Sequence, residues 1–349
     1  MTHNINELIR KLKQKFPIRL LPNDIATSKY EINGLQEVEQ LKDILSKKSK
    51  YNKRLVKILN ENIINCNILI NEPTIHEDLS EWLIVEESEY FTNKEYAHIV
   101  DDLVTYQVPL DKADNHTQIF IKEQRELLAS HGTTGFRTWE AAMVFFYYVT
   151  HINSDIIDDI ISSKNALELG CGTGFLGIFL SKILRNTKFC LTDGSNLVVE
   201  LCKENIQLND ADNRSIDCKE LLWGHHDDTI SEKYDLIFGA DITFDSRFIP
   251  LLVETIEDLL DDKGICLISA TIRNKDTIKT LYESLENLNQ KLKDTKTNSP
   301  KWNLEKIFEI NSSFCDTGTD LSQRDQFIDK YWFEDLLADV HIYKIYKTY

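Results

Sequence analysis

The sequence predicts an α/β protein: a Rossmann-like, mainly parallel sheet preceded by a smaller, mainly helical domain. Three observations carry this. From about residue 105 onward, short apolar runs alternate with segments of helical period. One of those runs, Ala166–Leu169, ends in a turn containing Gly170, Gly172 and Gly174, then opens into an amphipathic segment from Phe175 to about Arg185. Before residue 105 the apolar residues recur at helical spacing and glycine is nearly absent. The expected domains are therefore 1–104, helical, and 105–349, α/β with a hairpin at its start.

In the first domain Ile5, Leu8, Ile9, Leu12 and Phe16 mark one face of a helix. Similar patterns predict helices near 34–46, 52–70, 75–87 and 95–103. Trp82 and Phe91 are expected in their core, and nothing in this region offers catalytic chemistry. Residues 104–109 and 116–122 are strand-like runs with a polar stretch between them, a hairpin that begins the second domain. Residues 132–135 form a loop, and Trp139 opens an apolar helix to about Val149.

The turn after Ala166–Leu169 can be read in two frames. Glycines there let backbone approach a ligand, and the following helix N-terminus favours anionic groups. From Gly172 to Gly177 the chain spells G-x-G-x-x-G, the dinucleotide pattern. From Glu168 it spells E-x-G-x-G-x-G, which resembles motif I of the class I, seven-strand S-adenosylmethionine-dependent methyltransferases. An acidic side chain beside the loop repels a pyrophosphate and suits a cationic methionine ammonium.

The alternation continues. Lys188–Thr192 is a strand ending at Asp193, just over 20 residues past Gly172. A Rossmann-like fold presents an acid there to ribose hydroxyls, and the same residue can cap the helix over 197–209. Residues 215–222 are the third strand and its exit, 234–241 the fourth and 264–271 the fifth. Helices are expected over 249–261, 275–291 and 327–338, with a polar loop at 293–300. The last two strands are 302–310 and 340–347. Ligands of open α/β sheets lie at the carboxyl ends of strands, so Ala240 and Asp241 fall beside the glycine turn.

Composition bounds the function. A chain of 349 residues is long enough for two domains. Its formal charge of −17 argues against a surface that coats nucleic acid and is compatible with a basic protein partner. The seven cysteines form no C-x-x-C pair and predict free thiols in a reducing compartment. No metal-ligand spacing is present, and His225 and His226 are adjacent and so diverge; no metal is expected. The first residues lack an apolar signal core, and no stretch approaches about 18 apolar residues. A soluble, cytoplasmic protein without membrane or direct nucleic-acid partners is expected.

Two stretches together are similar to the eukaryotic elongation factor 2 lysine methyltransferase family. They are His131-Gly-Thr-Thr-Gly-Phe-Arg-Thr-Trp-Glu-Ala141 and Leu167-Glu-Leu-Gly-Cys-Gly-Thr-Gly174. The resemblance covers about 105–349. It implies a monomer using S-adenosyl-L-methionine to methylate a lysine of translation elongation factor 2. On the donor side it implies Trp139, Glu168, Gly170, Cys171, Gly172, Asp193, Trp223 and Ala240, with Asp217 a weaker candidate for the adenine. On the acceptor side, Asp241 orients the incoming amine and Phe244 walls its aliphatic stem. The family pattern carries a Tyr where this chain has Phe244, so the aromatic wall is kept and the phenol is not. The last two strands are implied to form an antiparallel edge. The competing readings are a methyltransferase for another protein or a small molecule, a nucleotide oxidoreductase, and a donor-binding scaffold without catalysis.

Overall fold

The computed structural model describes residues 3–16, 21–47, 49–92, 102–109, 116–124, 133–152, 155–209, 216–225, 232–295, 299–311 and 338–349. The helices expected over 95–103 and 327–338 lie almost wholly outside these residues, as do His131, Gly132 and His226. The chain divides into two compact units, Met1–Tyr106 and Gln107–Tyr349.

The first unit is mainly helical. Its elements are β1 His3–Asn4, α1 Ile5–Lys13, α2 Leu21–Ser28, β2 Tyr30–Ile32, α3 Leu35–Ser46, α4 Lys50–Ile64, β3 Ile68–Ile70 and α5 Pro73–Thr92. Asn4 caps α1 by accepting the Asn6 amide at 2.8 Å, and Ile5, Leu8 and Leu12 bury the apolar stripe. The segment 52–70, expected as one helix, breaks after Ile64. Cys66 takes a φ of 56° and the chain leaves as β3. The three strands form a parallel sheet in the order β1-β2-β3, with Tyr30 paired to both His3 and Ile68. Each strand has two or three residues, too few for an alternating pattern to show in sequence.

A two-stranded sheet, β4 Asp102–Pro109 and β5 His116–Glu123, contains the point where the units divide. Leu103, expected to end a helix, lies in β4. The second unit continues with α6 Glu140–His151, α7 Asp155–Ser162, β6 Asn165–Leu169, α8 Phe175–Ile183, β7 Lys188–Asp193, α9 Asn196–Asn209 and β8 Ile216–Glu220. It ends with β9 Tyr234–Ala240, α10 Ile249–Leu259, β10 Leu260–Thr271, α11 Lys275–Thr295, β11 Lys301–Ile310 and β12 Val340–Thr348. No described helix is long and apolar enough to cross a membrane.

Seven strands form one sheet in the order β11-β12-β10-β9-β6-β7-β8. Strands β6 to β10 are mutually parallel; β12 runs antiparallel to both β10 and β11. This is the Rossmann-like α/β sheet, with its last strand inserted one place inside the edge. The chain leaves β6 toward β7 and β8, then returns to place β9 on the other side. The ends of β6 and β9 thus flank the reversal point, where such sheets hold ligands. Helix α10 stops two residues short of its expected end because Leu260 pairs with Tyr234, and a bulge follows before Ile265. Beneath the turn, Phe146 packs edge-on against Phe179 at 4.8 Å, and both are fully buried.

Candidate active site

The glycine turn is built by backbone that only glycine adopts easily. Gly170, Gly172 and Gly174 have φ of 64°, 52° and 79°. The Cys171 amide donates to the Thr192 carbonyl at 2.8 Å, and the Gly172 amide donates to Asp193 Oδ2 at 3.2 Å. The turn after β6 is thus pinned to the end of β7. The segment before α6 closes over it. Thr138 and Thr173 share a hydroxyl hydrogen bond at 2.9 Å, and a Cβ on Gly135 would stand 3.4 Å from the Gly172 Cα. The two stretches that carried the resemblance therefore meet in space.

Their junction is one wall of a cavity of about 440 Å³ at the carboxyl ends of β6, β7 and β9. Of the ten expected site residues, Trp139, Gly170, Gly172, Asp193, Trp223, Ala240, Asp241 and Phe244 line it. Glu168 and Cys171 do not. Glu168 is buried within β6, and a Cβ on Gly177 of α8 would stand 2.5 Å from its Oε2. Burial pushes its carboxyl well above the usual range, with the Gly177 amide opposing. The Cys171 amide is already bonded, and its buried thiol groups with Cys202 and Cys218, the three Sγ atoms within 4.8 Å of one another. Sequence spacing hid that cluster, because its members come from a turn, a helix and a strand. Asp217 is exposed, accepts the Cys218 amide and pairs with Lys219 at 3.3 Å, away from the cavity wall.

Asp193 is placed to accept from a ligand. Its Oδ1 takes the Ser195 amide at 3.0 Å and its Oδ2 the Gly172 amide, which leaves acceptor capacity on each oxygen. Burial raises its carboxyl, and the two amides pull the other way. Trp223 and Leu222 follow β8; Gly224, at φ 74°, turns the chain back and donates to the Thr255 hydroxyl. Leu222 is exposed, as are Phe244 and Phe248, so the mouth of the cavity is apolar.

Asp241 caps the site on the other side. It holds a φ of 55°, unusual for a residue with a Cβ, and donates its amide to Ser269 at 2.8 Å. Its Oδ1 accepts the Thr271 amide at 2.8 Å and its Oδ2 the Thr271 hydroxyl at 2.9 Å. Burial raises its carboxyl, and Arg273 opposes that shift. Sequence reasoning missed Arg273 and Glu140. Arg273 Nη2 stands 3.1 Å from Glu140 and 3.5 Å from Asp241, and its guanidinium lies 5.0 Å from the Trp139 ring centroid. Its position just past the end of β10 was the available signal, since site residues collect at strand carboxyl ends.

The lining favours one of the two readings of the glycine turn. Among the described residues, no Lys or Arg lines the cavity, so a pyrophosphate would find no cationic side chain in that lining. Aromatic rings and the carboxylates of Asp193 and Asp241 instead suit a cation bearing a ribose. The residues present fit S-adenosylmethionine: an acid, Asp193, that could accept from hydroxyls, an aromatic, Trp223, that could wall a base, and Gly170 and Gly172, whose backbone a ligand could approach closely. Bound there, it supplies a methyl on a positively charged sulfur.

The comparisons agree with this chemistry. A family model described as lysine methyltransferase matches residues 114–291, about half of the chain. The chain is 38% identical over 188 residues to the protein-lysine N-methyltransferase EFM3 of Chaetomium thermophilum, covering 51% of this chain and 54% of that one. It is 27% identical over 356 residues to the protein of the same name from Saccharomyces cerevisiae, covering 97% of each. It is 28% identical over 137 residues to the EEF1A lysine methyltransferase 3 of Xenopus tropicalis, covering 39% of this chain and 58% of that one. With a family model matching across the glycine turn and its neighbours, the chain belongs to the lysine methyltransferase family of S-adenosylmethionine-dependent enzymes.

Proposed function

We propose that this protein is a protein-lysine N-methyltransferase that moves methyl groups from S-adenosylmethionine to a lysine of translation elongation factor 2. One observation carries the reading: the donor-side groups Asp193, Gly172 and Trp223 and the acceptor-side groups Asp241 and Phe244 line the same cavity. Methyl transfer from sulfur to nitrogen is an in-line displacement that needs no enzyme nucleophile. Its rate gain comes from holding donor and acceptor in line. Trp139 walls the donor, Ala240 offers backbone near the end of its strand, and Phe244 lies along the lysine stem. Glu168 and Cys171 act on the glycine turn rather than on the ligand.

The elongation factor 2 assignment rests on the similarity of His131–Ala141 to that family. A second acceptor is favoured by a specific likeness, the relative named for EEF1A. Residues 105–349 act as the methyltransferase domain, and residues 1–104 serve stability or docking of the folded substrate. The protein works as a cytoplasmic monomer.

The test is purified protein with labelled S-adenosylmethionine on lysate from cells lacking the enzyme, followed by mass spectrometry of the labelled band. Methylated lysine in elongation factor 2 supports donor, reaction and substrate together. Label in EEF1A keeps the reaction and replaces the substrate. Donor binding without any labelled protein would sink the protein-methylation reading and favour a small-molecule acceptor or a scaffold.

A further inference from the structure

Asp241, on the acceptor side of the cavity lining, meets a second buried carboxylate and a cation from two other elements, just outside that lining. Glu140 is the first residue of α6, and 6% of its side chain is exposed. Asp241 follows β9 with 8% exposed. Arg273 follows β10 and reaches both, while 42% of its side chain faces solvent. Thr271 already donates to each oxygen of Asp241. The carboxylate is held by protein donors on both oxygens, at a residue that lines the cavity.

This arrangement bears on the proton that methyl transfer must lose. An ammonium has no lone pair, so the acceptor nitrogen has to be neutral when it attacks. Free lysine is almost wholly protonated at neutral pH. A pair of buried, uncompensated carboxylates would hold that ammonium and raise its pKa further. A guanidinium between them works in the opposite direction. It balances one of the two negative charges without offering an acceptor for the ammonium proton.

We propose that Arg273 is a positioning residue that compensates Glu140 and Asp241, so that the acceptor lysine enters the cavity as the neutral amine. The proton leaves the ammonium to water before transfer. The nitrogen lone pair then forms the N–C bond as the C–S bond breaks, and that electron pair stays on sulfur. This inference rests on the lysine methyltransferase reading and deepens it. Among the described residues, the charged groups facing Arg273 are Glu140 from α6 and Asp241 from the turn after β9. Arg137 lies over the same Trp139 ring at 4.6 Å, and Lys275 begins the next helix. Asp339, ahead of β12, meets this strand end through its carbonyl, which accepts the Ile272 amide at 2.7 Å.

The test uses the full chain as wild type, Arg273→Gln, Arg273→Lys and Glu140→Gln. Two quantities are read: affinity for S-adenosylmethionine by calorimetry, and single-turnover labelling of the acceptor band in enzyme-deficient lysate across pH. Arg273→Gln should leave donor affinity within about twofold. It should move the acid limb of the rate profile up by about one unit, a roughly tenfold loss at neutral pH that recovers in base. Arg273→Lys should restore most of that shift. Glu140→Gln removes a negative charge and should move the limb the other way. It decides the matter if Arg273→Gln does not fold. A loss of rate by the same factor at every pH, or unmoved limbs in both Gln variants, overturns the proposal. Absence of protein label with wild type at any pH fails the parent reading and this one with it.

Discussion

Asp193 accepts the Gly172 amide at 3.2 Å, so the end of one strand holds the glycine turn that follows its neighbour. A residue placed for the ligand is also a structural tie for the loop beneath that ligand. Replacing it with alanine removes both. Asp193→Ala should weaken S-adenosylmethionine binding by about 1.5–3 kcal/mol, roughly 10- to 150-fold, as expected for a lost charged hydrogen bond. Calorimetry on the purified variant gives the number, and unchanged affinity would take Asp193 out of the site.

Glu168 predicts a pH signature. Its folded-state carboxyl titrates well above the usual range because it is buried. Between the ordinary carboxylate pKa, about 4.3, and that raised value, the folded state keeps a proton that the unfolded state has lost. Stability from this group is therefore full below about pH 4.3 and declines as pH rises through the window. Glu168→Gln removes the titration and should flatten thermal stability against pH above that point. A melting profile parallel to wild type at every pH would contradict this.

Gly177 is the third glycine of the dinucleotide-like pattern, yet it serves packing. A Cβ there would run into Leu191 of β7 and stand 2.5 Å from Glu168 Oε2. The close seating of α8 on the sheet depends on its absence. Overpacking of this kind costs about 1–3 kcal/mol, offset by roughly 1 kcal/mol of better helix propensity. Gly177→Ala should lower the melting temperature by a few degrees, by about 2–4 °C per kcal/mol. An unchanged or higher melting temperature would show that Leu191 yields freely.

Phe244 is 59% exposed at the cavity mouth, so its removal should leave the fold intact. Phe244→Ala should raise KM for the protein acceptor several-fold while donor affinity stays within about twofold. Steady-state kinetics against purified acceptor separate the two. A fall in donor affinity matching the rise in KM would place Phe244 at the donor instead.

The parallel sheet was legible because its strands are buried on both faces. Runs such as Tyr234–Ala240 read as continuous apolar stretches. That Gly170, Gly172 and Asp193 come together at one cavity was legible because they sit at fixed distances along one βαβ unit. Arg273 and Glu140 were harder to see, since they lie 133 positions apart and meet only when α6 packs against β10. The placement of Glu168 also depends on packing. It is near the turn in sequence, but its place inside β6 puts it beside Gly177 of α8 rather than on the cavity wall. The short strands of the first unit escaped because two or three residues give no period to detect.

The insertion of β12 sets an order on how the sheet can close. Strand β11 is made first, yet its ladder in the sheet is with β12, which also pairs Ile265 of β10 with Tyr346. On a growing chain, β10 therefore presents an open edge until Val340–Thr348 has been synthesised and released. The finished fold depends on one of the most distant pairings in this unit, a slow kind of contact to form. Nascent protein should be most prone to edge-to-edge association in that interval, when a completed cavity stands next to an unfinished sheet.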